Sequence, residues 1–173
     1  HLIVGYAKLY TPGFAKHHSL SLAASYQTSL GGFQSDMVLS GLAFKSTRLV
    51  PRGYSSYDIA NNHYIATSVN YQLPVWYPDG GWEGVIFFKR LRVNAGFDYA
   101  SFRRATGFDD FGSIIENRRH IAAYGVDLGI DFNLFTLPSS ATISATLSLY
   151  RKIELHPYKD GKLHFSFGLG LPF

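Results

Sequence analysis

Three aspartates, Asp98, Asp127 and Asp131, lie inside runs that otherwise alternate apolar and polar residues. A single arginine, Arg52, sits in a long stretch between two such runs. Inward carboxylates beside Ser or His could in principle support acid/base or nucleophilic chemistry. No nucleophile motif accompanies them, so no catalysis is expected. His17, His18, His63, His120, His156 and His164 lack metal-ligand spacing and read as turn, interface or inward residues. The chain has no cysteine, which removes thiolate ligands, disulfides and a cysteine nucleophile. No metal and no cofactor is expected. The chemistry left to these residues is ionic. A strand aspartate can accept a guanidinium through charge-assisted hydrogen bonds. Asp98, Asp127 and Asp131 are the candidate carboxylates for such a contact.

The elements that must position them alternate with period 2, and no helical stripe competes. Leu163, Phe165, Phe167, Leu169, Leu171 and Phe173 share one face of the last strand, and Lys162, His164, Ser166, Gly168 and Gly170 share the other. Ile143, Ala145, Leu147 and Leu149 oppose Ser144, Thr146, Ser148 and Tyr150. Tyr124, Val126, Leu128, Ile130 and Phe132 oppose Gly125, Asp127, Gly129 and Asp131. Leu91, Val93, Ala95, Phe97 and Tyr99 oppose Arg92, Asn94, Gly96 and Asp98. Ile65, Val69, Tyr71, Leu73 and Val75 oppose Ala66, Ser68, Asn70 and Gln72, and Leu20, Leu22, Ala24 and Tyr26 oppose Ser19, Ser21 and Ser25. A first segment groups Leu2, Val4 and Tyr6 as its apolar face. The total is about seven strands.

This pattern predicts an all-β protein, an antiparallel transmembrane β-barrel. Two acids within one strand are costly in a dry sandwich core but natural in a polar lumen. No apolar run approaches the roughly 20 residues of a membrane helix. Tyr54, Tyr57, Trp76, Tyr77 and Trp82 read as loop packing or interfacial girdle residues. The net charge of +4 is concentrated around Arg103, Arg104, Arg118 and Arg119. No basic helix or RNA-binding signature accompanies it, so nucleic acid is not an expected partner. The links are expected to alternate: short at 11–18, 76–84 and 136–140, longer at 30–62, 103–119 and 152–161. Short turns on one side and long loops on the other suit an outer-membrane barrel with a periplasmic C-terminus. An odd strand count cannot close a single-chain bacterial barrel. With His1 in place of an initiator Met, the chain is expected to be the C-terminal portion, residues 1–173, of one larger barrel domain.

Pro51-Arg52-Gly53-Tyr54, on the long loop, resembles the (V/I)-R-G-(F/Y) motif of BamA/TamA-type outer-membrane assembly and secretion barrels, the bacterial surface antigen superfamily. Pro51 stands where the motif has Val or Ile. Five predicted strands follow Arg52, as in that family. Tyr71-Gln72-Leu73-Pro74-Val75 is similar to the family's E-Y-R-F-P-L segment, and Phe97-Asp98 to its F-x-D-x-G segment. The chain end, from Ser166 through Gly168 and Leu171 to Phe173, looks like the β-signal read by the barrel-assembly machinery, a mark of outer-membrane barrels in general.

The resemblance implies a barrel of about sixteen strands and a loop folded into the lumen. It implies a role in inserting or translocating polypeptides at the bacterial outer membrane. Expected partners are outer-membrane lipid, the remaining strands of the barrel, the assembly machinery and unfolded polypeptide. The alternative is a passive pore or structural barrel, fused to another N-terminal domain. On residue type alone, Arg52 is a solvated loop arginine beside a turn glycine. The family motif makes it a pin for the loop, and with strand parity it implies Asp98 as the favoured partner, with Asp127 and Asp131 as competitors. Leu49-Val50-Pro51-Arg52-Gly53 also reads as a thrombin-type cleavage sequence, which as an inserted scar would sit at a domain edge.

Overall fold

The computed structural model describes residues 2–29, 49–54, 63–78, 80–82, 84–108, 110–112, 114–134, 142–156 and 158–170. Among them every element is a strand: β1 (Leu2–Pro12), β2 (Ser19–Ser29), β3 (His63–Trp76), β4 (Gly80–Trp82), β5 (Ile86–Phe108), β6 (Ile114–Leu134), β7 (Ile143–His156) and β8 (Tyr158–Gly170). They form one antiparallel sheet in the order β1-β2-β3-β5-β6-β7-β8, with the short β4 paired to β5. β1 and β8 are the two ends and do not pair, so the sheet is not closed.

Register aligns the alternation of separate strands into rows. Leu9, Leu22, Val69, Phe97 and Tyr124 form one row. Leu73, Val93, Leu128, Leu147 and Phe167 form another. These rows share a face on which every member is exposed except the half-buried Leu73 and Val93. The opposite face buries Ser25, Gln27, Ser68, Asp98, Asp131, Asn133 and Ser144. The sheet is thus polar inside and apolar outside, the reverse of a soluble sheet packed on its core. Toward the end that carries the 30–62 connection, the inner face becomes apolar. Tyr64, Ala66, Ala100, Phe102 and Ile121 cluster there, and Leu49, Val50 and Tyr54 pack on them. The Tyr64 hydroxyl donates to the Leu49 carbonyl. The thrombin-type stretch is therefore packed on the sheet rather than hanging at an edge.

Three expectations change. Register turns Val4 and Tyr6 inward with Lys8 and Tyr10, and Ile3 and Leu9 outward. An offset of one residue flips every side chain of a strand, and β1 has apolar residues at both parities. The 103–119 link is mostly ladder, continuing through Arg103↔Arg118 to Phe108↔Ile114. The 152–161 link is likewise paired as far as Leu155↔Tyr158. Of the connection at 30–62, the described residues 49–54 belong to no strand. A hairpin keeps its backbone hydrogen bonds past the point where its neighbours stop, even where its side chains are polar. The link at 136–140 lies outside the described residues, and 76–84 contains β4.

Gly125 pairs with Tyr150, and a Cβ at Gly125 would overlap the Leu149 carbonyl and the Tyr150 ring. Valine favours strands by up to about 1 kcal/mol, but overpacking costs about 1–3 kcal/mol. Gly125→Val should therefore lower the urea midpoint of the folded protein. An unchanged midpoint would mean that the close approach is not maintained.

Candidate functional site on the inner wall

Residues 51–54 make a tight turn closed by the Tyr54 N–H donating to the Pro51 carbonyl at 3.1 Å. Gly53 has φ 77°, which the third position of a type II turn requires and which glycine adopts without a Cβ penalty. The turn aims Arg52 at the inner wall. Its backbone N–H donates to Asp98 Oδ2 at 3.0 Å, and its Nε lies 3.5 Å from the same oxygen. Its Nη1 is 3.9 Å from Asp127 Oδ2, and its guanidinium sits 5.4 Å from the Tyr150 ring centroid.

The sheet is shaped to receive this side chain. Gly96 and Gly125 pair across β5 and β6, and Tyr150 flanks them on β7. A Cβ at Gly96 would overlap the guanidinium of Arg52. The two glycines open a furrow whose far wall is an aromatic ring. Asp98, only 4% exposed, also accepts the Ser68 hydroxyl at 2.6 Å, and Asn70 donates to Ser68 at 3.0 Å. Asn94 donates to Asp127 at 2.8 Å. Tyr54 donates to the Ile153 carbonyl at 3.3 Å, with the Lys152 ammonium 5.1 Å from its ring.

A second ionic group lies nearer the other end of the sheet. Arg90 donates from Nε and Nη2 to Asp131 Oδ2 at 2.9 and 2.6 Å. Ser144 donates to Asp131 Oδ1 at 2.8 Å, and Arg92 Nε stands 3.4 Å from that oxygen. Arg92 lies over Gly129, where a Cβ would come within 2.9 Å of it. Between the two groups is a cavity of about 290 Å³. Lys8 of β1 and Thr146 of β7 both line it, so the sheet curls around its inner face.

Of the residues singled out in the sequence, Arg52, Asp98 and Asp127 meet, while Asp131 pairs with Arg90 and Arg92 instead. Ser166 and Gly168 lie on β8 opposite Ser148 and Thr146. Leu171 and Phe173 lie outside the described residues. Sequence reasoning missed Gly96 and Tyr150 as the seat of Arg52, and Ser68 and Asn94 as partners of the acids. The available signal was parity, because all four stand on the polar face. Among the described residues, no cluster of three or more His, Asp or Glu side chains could hold a metal. The site clamps a segment by charge and shape.

Fold and site define the class: a curled, open antiparallel sheet, apolar outside, charged inside, with one segment docked on its inner wall. Comparison with protein-family models, curated proteins and solved structures finds no match to this chain.

Docking can be read by cleavage with thrombin between Arg52 and Gly53. The wild-type protein should resist, and Gly96→Val, which fills the furrow, should be cut rapidly. A double-mutant cycle on Arg52→Ala and Asp98→Asn should return a coupling of about 0.5–3 kcal/mol. Equal cleavage of wild type and Gly96→Val would rule out the docked turn in solution.

Proposed function

We propose that this chain is part of the wall of a bacterial outer-membrane β-barrel that takes part in inserting or translocating polypeptides. The observation that carries the reading is the pairing of two opposite faces. The outer face aligns apolar rows across the sheet, while the inner face holds Arg52 on Asp98. Lipid covers the first, and the second faces an aqueous lumen.

The two sheet ends add a requirement. In hydrocarbon, each unsatisfied backbone group costs several kcal/mol. β1 and β8 therefore pair with further strands, from the same precursor or another chain, toward the barrel of about sixteen strands that the family resemblance implies. The C-terminus is periplasmic, and the β-signal ending in Phe173 is read by the assembly machinery. The docked turn, in the position the resemblance implies for its motif, holds the inner wall in one arrangement against which unfolded polypeptide passes. The polar cavity beside Arg52 favours a second reading, a passive pore.

Two substitutions test the membrane reading in the full-length protein. Phe97→Arg places a charge at mid-depth on the lipid face, at a cost of about 2–4 kcal/mol. It should sharply reduce folding into bilayers, whereas Asp127→Asn should not. Equal tolerance removes the membrane assignment. Arg52→Ala then separates the two functions. An assembly or secretion barrel loses delivery of its polypeptide several-fold while its heat-modifiable band persists. A passive pore changes only its conductance.

A further inference from the structure

Beyond the inner wall, the outer face carries a second feature, at the end of the sheet where the 30–62 connection lies. Arg103 and Arg118 are directly paired across β5 and β6. Arg103 continues the outward parity of Phe97, and Arg118 that of Tyr124. Like charges opposite one another on a sheet are destabilising. One carboxylate, Glu116, stands 3.6 Å from Arg103. Among the described residues, one acid against two guanidinia leaves the spot positive.

Below the pair is a hollow of about 180 Å³, lined by Tyr26, His63, Ile65 and Ser101 together with the two arginines. Ser101 is small and nearly buried, which leaves the room. Tyr26 and Ile65 are exposed and give the hollow an apolar side. Thr28 and His63 share a 2.7 Å hydrogen bond that fixes the imidazole at the rim. The hollow is thus cationic above and apolar below.

Its height is informative. From Leu91 to Arg103, at about 3.3 Å per residue and a strand tilt near 40°, the rise along the barrel axis is roughly 30 Å. That is close to the thickness of a bilayer's hydrocarbon core. On the membrane reading proposed above, on which this inference rests, Arg103 and Arg118 stand at headgroup level in the outer leaflet.

We infer that Arg103 and Arg118 form a binding site for the phosphate of an outer-leaflet glycolipid, whose acyl region lies against Ile65 and Tyr26. Planar guanidinia bind phosphate oxygens in forked pairs. A bridging phosphate also removes the repulsion between the two arginines.

The test uses the full-length protein and its Arg103→Gln/Arg118→Gln variant. That variant loses a repulsion and leaves the inner wall intact, so it is expected to fold. Insertion into phosphatidylcholine vesicles, read by protease protection, is measured first. Binding of fluorescent bisphosphorylated lipid A is then compared with binding of its dephosphorylated form. The wild type should prefer the phosphorylated lipid, and the variant should bind it roughly tenfold more weakly or worse. Inorganic phosphate at millimolar concentration should not displace it. Normal insertion with equal lipid A binding by both proteins overturns the lipid site alone. Displacement by inorganic phosphate also overturns it, in favour of a free-anion site. Failure of the wild type to insert overturns the membrane reading and this inference together.

Discussion

The inner wall is organised by carboxylates that cannot be left alone. Asp98 and Asp131 are both nearly inaccessible, and a buried charge without a partner is costly. Asp131 finds its cations within the sheet, from Arg90 and Arg92 on the neighbouring strand. Asp98 has a different supply. Ser68 satisfies one of its oxygens, but the cation comes from Arg52, outside the sheet. A segment between two strands must therefore enter and dock, at the entropic cost of ordering it. The ionic contact, the backbone hydrogen bond from the same residue and the packing of Leu49, Val50 and Tyr54 together oppose that cost. No single one of them fixes both the position and the direction of the turn.

Shape then decides where the charge can go. A guanidinium is broad and flat, and a strand surface bristles with Cβ atoms. Glycine is disfavoured in strands because it packs nothing and loses entropy. At Gly96 that deficit becomes the requirement, since any Cβ there would collide with Arg52. Gly129 does the same for Arg92. At Gly125 the neighbour is aromatic, and Tyr150 both covers the strand and faces the guanidinium. Gly96, Gly125 and Gly129 thus each mark a place where a large side chain lies over the sheet.

Much of this was legible. Alternation placed seven long strands and assigned the faces of six, because side-chain parity follows from backbone geometry. It also put Asp98, Asp127 and Asp131 on one face, and the strand-to-strand register then aligned Asp98 with Ser68. The misreadings have physical causes. β1 carries Val4 and Tyr6 at one parity and Ile3 and Leu9 at the other, so its face depends on the partner strand rather than on its own pattern. The β5–β6 and β7–β8 hairpins run on through polar residues, where hydropathy has no contrast to report. The furrow was hidden because pairing Gly96 with Gly125 and Tyr150 needs register across three strands, which no single strand encodes. The glycines were visible, but their alignment was not.

The docked turn also distributes constraint unevenly. It reaches β3 through Tyr64 and Leu49, β5 through Asp98 and Gly96, β6 through Asp127 and Ile121, and β7 through Ile153 and Tyr150. These contacts cross-brace four adjacent strands from the inside, in addition to their ladder hydrogen bonds. Local stability follows local contact, and regions with few side-chain contacts open first. The centre of the sheet is tied both by its ladders and by the docked turn, whereas β1 and β8 are tied by one ladder each. The docked turn thus ties the middle of the curled sheet across four strands, while β1 and β8 each keep one side without a partner strand among the described residues.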